Sequence, residues 1–600
     1  MRLLAAATAG CDERRVCATL PYPDRDVDDP STEWDAIICG AGLSGLTLAL
    51  QLRQQLPNLR IAVVERTRRP LPEASHKVGE SNSELGSQYY ERVGLRDYLR
   101  RDHIVKLGLR FFNGGGHLPL EARTEIGPTQ EPLVKGYQVD RGLFEEDVRG
   151  MIERDGVTLW EGAVVRDVTI GSPHELHIER DGEHITARAR WIIDATGRSA
   201  MLRRKLGRKL STEHVGNSGW FRVEGRVHLH ELTTNKADPW HDGPLASERW
   251  RSTNHLTGNG YWVWIIALAK ERTSLGVVTF DSVHGFDRVR TLERTMQFLE
   301  EHEPALARRV ADMPVLDFRC IKAYSHGIER CWSTDRWAIV GDAGAFVDPL
   351  YSPGTDFIAF GNSFTTELIR ADLAGEDLAA PVEALDREYR ELIEGSLSVY
   401  RKAAPVLGHS RAWAVKVYWD NFAYWGYTCQ YFLQGLYLRR ELDAVIPLIR
   451  GRFVHLSRCV QSLLHAWATL HPEEPRGGFM RLPAFPSYSV DAHLDLQKTM
   501  TPEETLASMR MRLSLGEQMV AELVVRLLLE YGPDDGKRIL DAAGVADFRV
   551  PFDPERAAVE PTIGLGRRRA VSRVVRDVER VLGRVDKHPQ WEEALALLQR

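Results

Sequence analysis

Three glycines at dinucleotide spacing mark the first place in this chain where chemistry is legible. Gly40-Ala41-Gly42-Leu43-Ser44-Gly45 follows the apolar run Asp35-Ala36-Ile37-Ile38-Cys39 and leads into helical periodicity over Ser44 to Gln55. An acid, Glu65, closes the next apolar run, Ile61-Ala62-Val63-Val64. Glycines so placed allow a tight turn and let backbone amides approach a pyrophosphate at a helix N-terminus, while the acid accepts from a ribose hydroxyl. The strand, turn, helix and strand context predicts an adenine dinucleotide held by Gly40, Gly42, Ser44, Gly45 and Glu65.

The type of dinucleotide is indicated far along the chain. Asp335-Arg336-Trp337-Ala338-Ile339-Val340-Gly341-Asp342-Ala343-Gly344 is an apolar strand ending in Gly-Asp, followed by Asp348-Pro349 and by Gly354, after which a helix is expected near Asp356. Such a return segment suits FAD: Asp342 can hydrogen-bond a ribityl hydroxyl, and the helix N-terminus after Gly354 can face the electron-rich edge of the flavin, with Pro349 in the approach. Between the two lies Arg190-Trp191-Ile192-Ile193-Asp194-Ala195-Thr196-Gly197, a third strand-to-turn signal. Three signals in this order predict one interleaved domain.

Lys77-Val78-Gly79-Glu80-Ser81, Trp262-Val263-Trp264-Ile265-Ile266 and the Gly341-Asp342 return, in that order, resemble a flavin-dependent halogenase of the phenol hydroxylase-like FAD superfamily. The likeness is strong over residues 34 to 375 and loose beyond. It implies that Gly79, Glu80 and Ser81 form a strap beside the isoalloxazine, that Arg141 in Gly136-Tyr137-Gln138-Val139-Asp140-Arg141 reaches the cofactor or pairs with Glu145 or Glu146, and that Trp262 and Trp264 line the passage from flavin to substrate. Ala267 stands where the family signature has proline. The resemblance further implies that reduced FAD, oxygen and chloride or bromide yield hypohalous acid, which a lysine receives. Lys77 is that lysine by position, provided burial lowers its pKa.

The halide would sit at the loop Ser352-Pro353-Gly354-Thr355. Pro353 has no N–H, so Ser352 and the amides of Gly354 and Thr355 would hold the ion. Asp356 follows at once and would repel an anion if it pointed inward. Gln88 and Tyr351 occupy the positions where tryptophan halogenases place their lysine and glutamate, which argues against free tryptophan as substrate. No second Gly-x-Gly-x-x-Gly lies in a strand-to-helix context, so a separate flavin reductase is expected to supply reduced FAD. The acceptor is expected to be an electron-rich aromatic of secondary metabolism, free or carrier-bound. Two alternatives stay open: a two-component flavin monooxygenase that hydroxylates instead, and a non-halogenating flavoprotein reductase.

The elements that must position these groups read as an α/β architecture: a Rossmann-like FAD domain over 34–375, an interleaved antiparallel substrate sheet over about 215–280, and a helical C-terminal region over 376–600. Trp262 and Trp264, two apart, share one strand face. Helices are expected over 381–401, 412–440, 445–470 and 503–531, interrupted by a Pro-rich stretch, 472–486. The cluster Tyr418-Trp419-Asp420-Asn421-Phe422-Ala423-Tyr424-Trp425 is helical core or a pocket lid. His228 and His230 alternate along an expected strand without acids or cysteines nearby, so no metal is expected. Residues 1–33 read as a disordered leader, and arginines 567–569, 573 and 576 as a solvated face or a dock for an acidic carrier.

Composition narrows the class. Six hundred residues, 43% hydrophobic and 27% charged, suffice for a large core. A net charge of -6 offers no basic stripe for nucleic acid, and no run reaches the roughly 18 apolar residues of a membrane span. Seven scattered cysteines, none in a Cys-x-x-Cys pair, point to reduced thiols and a cytoplasmic enzyme.

Overall fold

The computed structural model describes residues 33–71, 77–472, 478–482, 489–545, 573–583 and 585–598. The leader to residue 32 and the arginines 567–569 lie outside the described residues, as does most of the Pro-rich interruption.

Strands Glu33–Cys39 and Ile61–Glu65 are almost wholly buried. Such a pattern belongs to parallel strands covered on both faces. They pair in parallel, and the C-terminal half of the long strand Glu183–Asp194 joins the other side of the first, Cys39 opposite Asp194. Trp337–Ile339 then pairs in parallel beyond it, Ile339 opposite Asp194. The three sequence signals therefore end side by side at one sheet edge, which is where open α/β sheets bind ligands. Thr158–Glu161 and two antiparallel strands, Ala163–Thr169 and His174–Arg180, complete seven strands.

The second sheet has eight strands. Gly216–Glu224, Thr253–Gly258, Tyr261–Leu268 and Arg272–Phe280 are its expected centre, and Val315–Ile321, Leu109–Asn113, Thr124–Pro128 and Gly478–Leu482 extend it. It is not purely antiparallel: Thr253–Gly258 runs parallel to Leu109–Asn113, and Thr124–Pro128 parallel to Gly478–Leu482. A sheet confined to 215–280 would have left Thr253–Gly258 an open edge, and the added strands cover it. His228 and His230 lie not on a strand but at the 3-10 turn Leu229–Leu232, their rings 5.2 Å apart. Among the described residues no group of three metal-ligating side chains occurs.

Helices Ala379–Tyr400, Ser410–Ala423, Ile446–Leu470 and Pro502–Ala543 build the C-terminal region. The last is broken at Gly532 (φ +76°) before Pro533, just past the end expected at Tyr531. No helix among the described residues is long and apolar enough to cross a membrane.

Candidate active site

The glycine turn is shaped for close backbone approach. Gly40 has φ +110°, and a Cβ there would lie 2.5 Å from the Ala195 carbonyl oxygen; a Cβ on Gly45 would lie 2.0 Å from the Gly40 carbonyl oxygen. Gly42 precedes the helix Leu43–Gln55, and Ser44, in its first turn, donates to Asn362 Oδ1 at 3.3 Å on the return helix Gly354–Leu373. Glu65 accepts from the Ala41 amide at 2.7 Å and from the amide and hydroxyl of Thr67 at 2.9 and 2.7 Å. Those bonds outweigh its burial and hold its pKa down, so it meets a ribose hydroxyl as a carboxylate.

Asp342 follows Gly341, whose φ of +59° and close approach to Ser44 again demand glycine. Burial raises the Asp342 pKa, opposed by Arg141, Arg198 and Arg203. The hydroxyl of Tyr90, in the same charged neighbourhood, and both amide atoms of Asn82 are buried without a partner. Orphaned polar atoms beside a glycine cradle are what a bound dinucleotide would satisfy, and the residues fit FAD.

Glu80 in the strap and Lys77 just before it have partners that the sequence did not announce. Glu80 is 1% exposed, and its two oxygens accept from Arg222 (2.9 Å) and Ser274 (3.2 Å). Arg222 also pairs with Asp317 at 2.8 Å and donates to the Lys77 carbonyl. Glu80 therefore tethers the strap to the second sheet. Replacing Arg222 with methionine would take the guanidinium away from two buried carboxylates, and a loss of about 3–5 kcal/mol is expected, read as a lower denaturation midpoint.

Lys77 precedes the strap. Its side chain is 44% exposed and ion-paired with Glu145, which also holds Arg141 at 2.7 Å. Arg141 thus makes the expected salt bridge, and its guanidinium also donates to the Val78 carbonyl, beside Gly79. A lysine with solvent and a carboxylate at hand lacks the buried setting its role required.

A different lysine has that setting. Lys106 ends the short strand Ile104–Lys106, paired with Gly136–Gln138, and is fully buried. Its Nζ donates to Ser81 Oγ at 3.2 Å and to the Asn82 carbonyl at 2.8 Å, and no carboxylate among the described residues forms an ion pair with it. Ser81 Oγ lies 2.7 Å from Thr253 Oγ1 and accepts from Ser352 Oγ at 3.0 Å, so Lys106, the strap and the proposed halide loop share one network. Burial lowers the Lys106 pKa, against the opposing charges of Glu84 and Asp356.

At the halide loop, Ser352 has φ +60° and Phe357 makes the first helical bond to the Pro353 carbonyl, leaving the amides of Gly354, Thr355 and Asp356 without an intrahelical acceptor. A Cβ on Gly354 would meet open space. The Thr355 hydroxyl, however, accepts from the Ser83 amide at 3.1 Å and is 3.0 Å from the Ser83 hydroxyl, so only its amide remains for an anion. Asp356 turns toward Ser83 and Tyr424, and burial pushes its pKa up to about 7. A halide at this loop would meet a carboxyl whose pKa burial raises, which weakens the expected repulsion.

Beside this loop opens a cavity of about 250 Å³ walled by Leu107, Phe111, Tyr351, Phe357, Tyr400, Tyr424 and Trp425, with Glu84, Asp356 and Asp420 among its polar groups. The aromatic cluster 418–425 divides as its helical spacing dictates: Asp420, Asn421, Ala423, Tyr424 and Trp425 face the cavity, while Trp419 and Phe422 pack in the core. Tyr351 donates to Asp420 at 3.0 Å. Trp262 and Trp264 do not line this cavity. Both are buried, with Trp264 over Gly276 and bonded to Ser274 at 3.1 Å, and Trp262 against His255, which stacks on the cavity residue Phe111. They stand one ring behind the wall, where their bulk braces strap and sheet.

A family model described as tryptophan halogenase matches residues 120–394. The flavin-dependent halogenase chlA of Dictyostelium discoideum is 26% identical over 479 residues, covering 70% of this chain and 77% of that protein. The 1H-pyrrole-2-carbonyl-[peptidyl-carrier protein] chlorinase of Pseudomonas fluorescens is 24% identical, over 54% of this chain and 72% of its own. The chain is similar to the flavin-dependent halogenases. The halogenase PltM shares its fold, with a TM-score of 0.56 at 15% identity over 81% of this chain and 97% of that one.

Two buried groups of this neighbourhood, Lys106 and Asn82, were not singled out from the sequence. Lys106 did leave a trace: it is the one charge in Ile104-Val105-Lys106-Leu107-Gly108-Leu109. A lysine inside an apolar run is seldom buried without a reason.

Proposed function

We propose that this enzyme halogenates a small electron-rich aromatic, using reduced FAD from a separate reductase, oxygen and chloride or bromide, with Lys106 presenting the oxidant. The observation that carries this reading is the buried Lys106, without a carboxylate ion pair, joined through Ser81 to Ser352 in the loop whose neighbours Tyr351 and Pro353 line an aromatic cavity. Gly40, Gly42, Ser44, Gly45, Glu65, Gly341 and Asp342 would hold FAD, which when bound supplies hypohalous acid from oxygen and halide. The amides of Gly354 and Thr355 hold the halide beside Ser352. Lys106 hydrogen-bonds the hypohalous acid and donates a proton to its departing oxygen, which makes the halogen more electrophilic. The cavity walls stack the acceptor ring and keep water from the oxidant.

The carrier-bound substrates in the names of two relatives, a chlorinase and a brominase of pyrrole-2-carbonyl carrier proteins, make a tethered acceptor as compatible as a free one. The absence of disulfides among the described cysteines supports work in a reducing, cytoplasmic setting. The test is turnover with a reductase, oxygen and either bromide or chloride, followed by product mass. A halide-dependent mass gain is expected; gain of one oxygen irrespective of halide would establish the hydroxylase instead.

A further inference from the structure

Halogenation of an aromatic ring needs a second participant that the network around Lys106 does not supply. When halogen bonds to a ring carbon, that carbon still carries its hydrogen, and the cation persists until a base removes the proton. A useful base has a pKa near the working pH and touches the substrate space.

Asp356 meets both conditions by position. It lies in the first turn of the return helix, 7% exposed, in the wall of the cavity and one residue from the proposed halide amides. Its Oδ1 accepts from the Ser83 hydroxyl and, at 3.4 Å, from the Tyr424 hydroxyl. No lysine or arginine among the described residues forms an ion pair with it, so nothing holds it permanently ionised. The groups around it are Glu84 and Tyr90 from the strap helix, Lys106 from the neighbouring strand, Tyr400 from helix Ala379–Tyr400, and Tyr424 and Cys429 from the segment that closes the cavity. Burial and the Glu84 charge raise its pKa, against the Ser83, Gly86 and Tyr424 donors, and the result is about 7.

We infer that Asp356 is the acceptor of the ring proton, resting on the halogenase reading above. The ring π pair forms the carbon–halogen bond, the oxygen–halogen bond of hypohalous acid breaks, and the departing oxygen takes a proton from Lys106 to leave as water. The C–H pair returns to the ring, and its proton goes to an oxygen of Asp356. The ring is oxidised by two electrons and the hypohalous halogen reduced by two; ArH and HOX become ArX and water. Asp356 then returns the proton toward Lys106, with the Ser83 hydroxyl at hand as a carrier. Asp420, the other aspartate of the cavity wall, is ion-paired with Lys416 at 2.9 Å and accepts from Tyr351, whereas Asp356 has no such cation among the described residues.

The experiment has one arm free of substrate and one with it. In infrared difference titration, wild type minus Asp356→Asn, a carboxyl C=O band is expected to vanish with a midpoint near pH 7; a site already ionised at pH 5 overturns the proposal. With resorcinol and ring-deuterated resorcinol as acceptors, Asp356→Asn is expected to cut kcat about 10²-fold with little change in KM. The rise of kcat with pH through 7 should disappear, and a ring-deuterium isotope effect absent from wild type should emerge because C–H cleavage becomes limiting. Asp356→Glu should restore part of the rate. A rise in KM alone, or a variant without an isotope effect, would make Asp356 a positioning group and overturn the assignment. A wild-type enzyme that yields no trappable hypohalous acid would instead sink the halogenase reading, and the infrared arm would still report separately on Asp356.

Discussion

Lys106→Met is expected to lower halogenation by about 10³-fold or more while leaving FAD binding intact, measured as product formation and as quenching of flavin fluorescence. The fold should tolerate the change, and thermal denaturation should show a variant as stable as wild type or more so. A fully buried ammonium with two neutral acceptors and no carboxylate partner is a standing cost, and its pKa is lowered for that reason. Methionine fills similar space without a charge to desolvate, and a gain of about 1–3 kcal/mol is the expected scale. Loss of activity with gain of stability separates a residue held for chemistry from one held for structure. Lys77→Met should reduce turnover by less than about tenfold, since the lysine is partly exposed and Arg141 still pairs with Glu145 when it is lost. If Lys77→Met abolishes halogenation and Lys106→Met spares it, the assignment reverses.

These two lysines show what a sequence can and cannot disclose. Gly40, Gly45, Gly341 and Asp342 were legible because their constraints are local: a turn, a strand end, a helix start. The identity of the buried lysine depends on which of two distant segments covers it. Lys106 is sealed by the strand Gly136–Gln138 and by the strap at Ser81 and Asn82, while Lys77, five residues or fewer from that strap, points outward to Glu145. Glu80 shows the same limit. Its place in the strap is local, but its partners Arg222 and Ser274 are 142 and 194 residues away, and they make it a tether to the second sheet. The second sheet was read short for a related reason. Alternation marks a strand, but nothing in Leu109–Asn113 announces that it will lie parallel to Thr253–Gly258.

Gly45→Ala and Gly354→Ala, the same change at two glycines, should fail in opposite ways. At Gly45 the new Cβ would stand 2.0 Å from the Gly40 carbonyl oxygen and 3.2 Å from Ile38 Cγ2. The first of these atoms belongs to the backbone of the cradle, so the helix must back away from the turn, and the amides that face the pyrophosphate move with it. A weakening of FAD binding by about 10²-fold or more is expected, roughly 3 kcal/mol, together with a lower denaturation temperature of the protein without cofactor. At Gly354 the Cβ enters open space at the start of a helix, where alanine is at least as favourable as glycine. Cofactor-free stability should stay level or rise, and the loss should appear as a higher KM for halide, because the methyl group occupies the space in front of the Gly354 and Thr355 amides. Calorimetry of the cofactor-free proteins and halide titration of the loaded ones would tell the two apart. Gly45→Ala with normal FAD affinity would remove the cradle from the site, and Gly354→Ala with unchanged halide KM would remove the loop.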